Sequence, residues 1–410
     1  NVAMMPSVDL LSHLIPADTA SRLDATGLFE RLDAADAVAR LAALADLLPI
    51  LPLPEPNHKY INNHIHTVYS FSPYTPTVAA LAARLSGLCT AGIVDHDSIA
   101  GADEFIAAGA LLDLPVTIGM EARVSMRGTP FAERRTNNPD QIGVSYMVLH
   151  AVPHARVPYV QNFFAPLRTR RNERNRAMLA VINRLCGYNL DFESDVLPLS
   201  LADKGGSVTE RHLLQALARR EDPHRDIRAE YRRVGELKKD LIEQVYIPAT
   251  DECLCLDEFV ALAHEVGAIP AYAYLGDVTL SVTGDKRAQT FEDAYLDELL
   301  STLVEHGVCA VTYMPTRNTD AQLRRVRNLC TELGLTQISG EDINSPEQSF
   351  VIEKMQDPRL ANLIDSTWAL IAHEHGDVMT TLGEYRRSIA NRHYKNAIIV
   401  DNRSAAERII

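Results

Sequence analysis

Two histidines two residues apart, His64 and His66, stand in the segment Tyr60-Ile-Asn-Asn-His-Ile-His-Thr67. The segment reads as the end of a β-strand, and side chains at i and i+2 of a strand point to one face. Two neutral imidazoles aimed at one point are what a metal ion requires of nitrogen ligands. Such a pair alone is more often a pair of satisfied polar residues than a metal site, so its meaning depends on what else the chain carries. Asp95-His96-Asp97, Glu121 in Gly119-Met-Glu121, His150, and Asp342 in Ser339-Gly-Glu-Asp-Ile-Asn344 are residues of the same chemical kind. Each has a plain structural alternative. Asp95 and His96 suit a helix cap before Ser98, His150 a satisfied core histidine, Asp342 a turn and Glu121 a strand end. Glu121, however, sits in an apolar run, where an unpaired carboxylate is costly.

The elements that must position these residues follow from periodicity. Apolar β-like runs cover 60–65, 87–94, 115–124, 143–152, 268–274, 308–313 and 335–340, and helical spacing fills 77–85, 99–112, 256–266, 291–306 and 320–333. Strand–helix alternation of this kind predicts a parallel α/β sheet or barrel. The candidate residues then fall at successive C-terminal strand ends: His64 and His66 on the first, Asp95-His96-Asp97 on the second, Glu121 on the third, His150 on the fourth and Asp342 after the last. That end carries the site in barrels and doubly wound sheets. A mixed shell of imidazoles and carboxylates suits a divalent metal such as Zn, Mn or Fe. Residues 125–142, with Gly128, Pro130 and Pro139, form a polar loop too long for a simple turn.

The 410 residues are 46% hydrophobic and 23% charged, an ordinary globular balance. A formal net charge of −14 argues against broad binding to nucleic acid or anionic membrane. No run of eighteen apolar residues predicts a membrane span, and the first twelve residues lack a signal-peptide pattern. Six scattered cysteines give no disulfide framework, and a cytoplasmic setting is expected; Cys253 and Cys255, without a partner pair, are not expected to hold a soft metal. Helical spacing over 34–48, stopped by Pro49 and a proline-rich linker, makes 1–57 a helical N-terminal extension. Residues 58–154 and 251–345 carry the alternation, 155–250 form a charged helical insertion, and 346–410 form a C-terminal extension with a short strand at 397–400. Most arginines of 168–176 read as a solvated helix face, His154 as a loop histidine, and His373 and His375 as a solvated helix end.

As an ordered set, the motifs resemble the PHP (polymerase and histidinol phosphatase) family of metal-dependent phosphoesterases, over about 58–345. The opening motif resembles His64-Ile-His66-Thr67-Val-Tyr-Ser70 followed by Pro76, and the second Ile93-Val-Asp95-His96-Asp97-Ser98-Ile-Ala-Gly101. Gly119-Met-Glu121 and His150 resemble the third and fourth motifs, and Gly340-Glu-Asp342-Ile-Asn344 resembles the closing Gly-Ser-Asp-x-His. The resemblance implies a distorted TIM-like (β/α)7 barrel with a helical insertion. It implies a first metal position of His64, His66, Glu121 and Asp342, a second keeping Glu121 and His150, and a third keeping only His96. The insertion is similar to that of an AMP phosphatase-like branch. The Gly-Arg-Pro-His element of that branch resembles Thr209-Glu-Arg-His212, with the arginine displaced to Arg211, which implies that Arg211 and His212 face a substrate phosphate. Three family ligands are replaced, by Phe71, Tyr274 and Asn344, which implies fewer than three ions; Asp277 is a candidate replacement ligand. The implied function is a metal-dependent hydrolase of a small phosphorylated molecule, with His96 or His150 as general acid or base. The alternative is a non-catalytic or regulatory protein of the same fold that binds a metal or anion. A hydrolase of non-phosphate substrates is a third reading.

Overall fold

The computed structural model describes residues 7–278 and 289–375. Its framework is a sheet of strands buried on both faces. They are β1 (Asn57–Ile65), β2 (Leu88–His96), β3 (Val116–Ser125), β4 (Val144–His150), the two-residue β5 (Leu254–Cys255), β6 (Ile269–Tyr274), β7 (Ala310–Tyr313) and β8 (Thr336–Ser339). The strands run in the order β1-β2-β3-β4-β6-β7-β8, with β5 paired beside the end of β3. The chain leaving β8 returns to β1, where the Ile343 N–H donates to the His64 carbonyl at 3.1 Å and the His66 N–H to the Ile343 carbonyl at 2.9 Å. The result is the nearly closed, distorted seven-stranded barrel that the motif order implied.

One expectation is corrected. β4 runs antiparallel to both β3 and β6, whereas the remaining neighbours are parallel. The physical reason lies in the connection. A parallel return needs a crossover, usually a helix, but residues 126–143 carry none and fold back as a long hairpin in which the Met126 N–H donates to the Gly143 carbonyl. The C-terminal end of β4 therefore lies at the opposite end of the barrel from those of its neighbours.

Helices cover the outside. α1 (Ser7–Leu11), α2 (Ala17–Asp24), α3 (Leu28–Leu32) and α4 (Ala37–Leu47) form the N-terminal part, and α5 (Pro76–Leu85) and α6 (Ala102–Leu111) follow β1 and β2. α7 (Val157–Cys186), α8 (Glu210–Glu221) and α9 (Ile227–Val245) make up the charged insertion. α10 (Leu256–Val266), α11 (Leu296–Glu305), α12 (Asp320–Leu333) and α13 (Ala361–His375) complete the set. Local sequence sets their ends. Thr75 accepts the Val78 N–H ahead of Pro76, and Thr319 and Gln322 form a reciprocal cap on α12. Arg40 of α4 is buried and pairs with the buried Glu104 of α6, which also accepts from Thr77, so the N-terminal helices are tied to the barrel by a fully desolvated ion pair. The insertion has its own core, built on Met178, Ile182, Leu213, Leu217 and Val234, into which Phe71 of the barrel projects.

The barrel interior is small and apolar: Val94, Val148, Ala271, Ala310 and Ile338 meet Ala369 and Leu370 of α13, which plugs the end opposite the candidate site. Here a second expectation fails. His373 and Glu374 are buried rather than solvated. Glu374 accepts from the Thr117 hydroxyl and the Ile118 N–H and faces His154 Nε2 at 3.3 Å; His373 contacts the Gly267 carbonyl and His375 packs edge-on against His154. The helix end closes the barrel, with Glu374 bound to groups of β3 and His373 to the end of α10. The expected strand at 397–400 lies outside the described residues. Among the described residues no helix is long and apolar enough to cross a membrane, and none of the six cysteines is in a disulfide.

Candidate metal centre

Four chain segments bring their polar residues to one end of the barrel. β1 delivers His64 and, just beyond it, His66; β2 ends in His96, whose ladder partner on β3 is Glu121; the return after β8 delivers Asp342. Gly340 makes the approach possible, since a Cβ there would lie 2.5 Å from the Cβ of His64. His66 Nε2 lies 3.2 Å from Asp342 Oδ1 and 3.9 Å from Glu121 Oε2, His64 Nε2 lies 3.6 Å from Glu121 Oε1, and His96 Nδ1 lies 3.1 Å from Glu121 Oε2. Two overlapping groups have mutual spacings fit for a cation: His64, His66 and Asp342, and His66, His96 and Glu121. Ligand atoms around a tetrahedral ion with bonds of about 2.0–2.1 Å stand roughly 3.3 Å apart, close to these separations. His66 Nε2 is buried and faces the carboxylates of Asp342 and Glu121, the place a shared cation would take. The donor set and its spacing therefore fit a divalent metal.

The surrounding residues orient these ligands. The buried carboxylate of Asp95 accepts from the Thr67 N–H and hydroxyl and from the Ser70 hydroxyl at 2.6 Å. Ser70 donates to Asp95 and its oxygen also lies 3.5 Å from His66 Nδ1, so the ring is held from its Nδ1 side while Nε2 faces the site. Asn344 donates to Asp342 Oδ1 at 2.7 Å, so its amide orients a carboxylate. Electrostatics divide the histidines. Burial opposes charge on His66, but Asp342, Glu121 and Asp95 outweigh it and raise its pKa. Burial would raise Asp342, yet His66, His64 and Arg211 hold it well below the carboxylate range. His96 is held well below the usual histidine value by burial and then by His66 and Arg171. It stacks on His66 with ring centroids 4.6 Å apart.

The other sequence candidates are placed differently. His150 lies outside both groups. Because β4 is antiparallel, its Val148 faces Glu121, and His150 falls two residues deeper, beside Gly119. Burial, then the charge of His64, lowers its pKa to about 3, and its Nε2 has no partner among the described residues. His212 caps α8: its Nδ1 accepts the Thr209 N–H at 2.9 Å and the ring also hydrogen-bonds the Ser70 main chain, so both nitrogens are committed to backbone and neither is free for a phosphate. Arg211 differs. Its guanidinium lies over the Phe71 ring, 5.6 Å from the centroid, and acts electrostatically on Asp342 and His96. No ion pair or hydrogen bond takes it up among the described residues. Tyr274 points away from the centre, donating to Asp293 within the layer of helices, and Asp277 is engaged by the Phe291 N–H rather than by the site. Of the arginines of 168–176, read mostly as a solvated face, Arg170 and Arg176 are exposed, whereas Arg171 and Arg174 are only 3% and 8% exposed. Sequence reasoning placed Asp95 and Ser70 in the motifs without giving them the role of orienting His66, and it gave Arg171 no role at the site.

No family model matches the chain. Over 97 residues, 23% of its length, it is 37% identical to error-prone DNA polymerases of Mycobacterium tuberculosis and Mycobacterium bovis, and it spans about 8% of the length of those curated relatives. Two solved structures share the fold. One is a protein from Bifidobacterium adolescentis, provisionally described as a metal-dependent phosphoesterase; it is 20% identical with a TM-score of 0.54, covering 76% of this chain and 98% of that one. The other is an amidohydrolase from Chromobacterium violaceum with bound sulfate and no metal, 17% identical with a TM-score of 0.54, covering 70% of this chain and 89% of that one. The PHP-type barrel implied by the motif order is the fold observed.

Proposed function

We propose that the chain is a metal-dependent hydrolase of the phosphoesterase type acting on a small phosphorylated molecule. The observation that carries this reading is the convergence of His64, His66, His96, Glu121 and Asp342 at cation-compatible spacing, with His66 Nε2 buried and facing two carboxylates. His64, His66 and Asp342, with Glu121 and His96 beside them, would hold a divalent ion such as Zn, Mn or Fe. A divalent cation there supplies Lewis acidity and a water acidified to near neutral pH. Arg211, propped on Phe71 with its donors unspent, binds phosphoryl oxygens. His96, partly open to solvent and uncharged at neutral pH, is placed to accept or return a proton at the mouth of the site. Fewer than three ions are expected, because His66 belongs to both groups and offers its Nε2 to one ion only. The scattered thiols, none in a disulfide, suit a reducing compartment such as the cytoplasm.

The test is turnover of an aryl phosphate and of nucleoside monophosphates with added Mn, Zn, Fe or Mg. His64→Ala is expected to abolish activity, and Arg211→Met to raise KM at least tenfold with a smaller effect on kcat. Elemental analysis of protein purified without chelator is expected to return fewer than three ions per chain; three would overturn the ion count. The second reading, a metal- or anion-binding protein without turnover, draws on Phe71, Tyr274 and Asn344, which contribute no ligand atom here. Stoichiometric metal with no turnover on any of these substrates would favour it.

A further inference from the structure

The three residues that follow His96 are each held by the helical insertion. Asp97 adopts a left-handed conformation, φ 51°, which a non-glycine residue keeps only when its surroundings fix it. Its N–H donates to the Glu121 carbonyl at 2.8 Å, prolonging the β2–β3 ladder by one step beyond His96. Its carbonyl accepts from Arg168 Nη1 at 2.9 Å, and its carboxylate accepts from Arg171 Nη1, both on α7. The Ser98 hydroxyl donates to the Gly205 carbonyl at 2.8 Å, and the Ile99 N–H to Gln161 Oε1 at 2.9 Å. Arg171 also reaches Glu210, the first residue of α8 and the neighbour of Arg211. Arg174 and Arg123 complete the cluster by pairing with Glu210 and Glu252. Arg123 lies two residues beyond Glu121 and so on the same strand face. Three buried cations thus balance the buried carboxylates of Asp97 and Glu252 and the partly buried one of Glu210, and the cluster touches the turn after His96, the strand of Glu121 and the start of the helix that carries Arg211.

We infer that Arg171 is a positioning residue of the metal centre: through Asp97 it fixes the turn that aims His96 at Glu121. The inference rests on the metal reading above. A merely architectural role, fastening the insertion to the barrel, would make Arg171 equivalent to Arg40, whose buried pair with Glu104 fastens the N-terminal helices elsewhere. The two variants can therefore be compared in the full chain, with Zn²⁺ itself as the probe in competition with a chromophoric chelator. Arg171→Met is expected to weaken Zn²⁺ binding by about 10- to 100-fold, the range typical of outer partners of metal ligands. Arg40→Met is expected to lower the melting temperature and leave Zn²⁺ affinity within twofold of the parent. Should Arg171→Met not fold with Asp97 unpaired, the double variant Arg171→Met/Asp97→Asn removes both charges and is expected to show the same loss. Zn²⁺ affinity within twofold of the parent in the folded Arg171 variants would overturn the inference. If the parent takes up no Zn²⁺, the metal reading fails, and the ring resonances of His96 in the metal-free protein decide the remaining point. Displacement of those resonances by the Arg171 variants but not by Arg40→Met supports positioning; unchanged resonances refute it.

Discussion

His212 is buried and uncharged, with its ring bound into the backbone at the start of α8, and burial, then Arg171, lowers its pKa to about 3. His150, equally buried, is lowered to about 3. In the unfolded chain both titrate near 6.5, so below that pH the unfolded state takes up protons that the folded state refuses. Their contribution to stability is intact above about pH 6.5 and declines as pH falls toward 3, by about 1.4 kcal/mol per pH unit for each group well below 6.5. Urea unfolding of the metal-free protein at pH 7.5, 6 and 5 is expected to show this decline, and His212→Asn, which keeps a capping side chain, to make it shallower. The types of the candidate ligands were legible at this scale because histidines and carboxylates at strand ends stand out from apolar runs. The partners of Asp97 were not, since Arg171 lies 74 residues away and only folding brings them together. Nor could spacing tell that His212 would spend its nitrogens on its own helix cap.

At the scale of elements, strand period was legible and strand direction was not. The run at 143–152 gave β4 its place, but the absence of helical spacing in 125–142 was the cue that the strand returns antiparallel, and that orientation takes His150 out of the ligand layer. The end of α13 was misread for a related reason: histidines two apart diverge on a helix, and no local pattern shows that the helix enters a barrel mouth. Glu374 carries the consequence. With its side chain fully buried, it satisfies the Ile118 N–H at 2.7 Å and the Thr117 hydroxyl. Glu374→Ala leaves that N–H buried without an acceptor and is expected to cost about 1–3 kcal/mol in urea unfolding. Glu374→Gln, which retains an acceptor oxygen, is expected to cost less.

Across the whole molecule, the barrel with its insertion was foreseeable from the order of motifs, whereas the way the parts grip one another was not. Buried pairs such as Arg40 with Glu104 and the arginine cluster above the site join segments that look merely charged in the sequence. The reversed strand also divides the sheet into two parallel blocks, β1-β2-β3 and β6-β7-β8, joined on one side through β4. On the other side β8 and the chain beyond it meet β1 through the amides of His66 and Ile343 and through the side chains of Asn62 and Asn63. His64, His66, His96 and Glu121 belong to the first block, and Asp342 follows the second. An ion shared between them would act as a rivet across that seam. Chelation is accordingly expected to speed deuterium uptake at the His66 and Ile343 amides while leaving the β2–β3 ladder protected, so the loosest edge of the wall becomes a gauge of whether the rivet is in place.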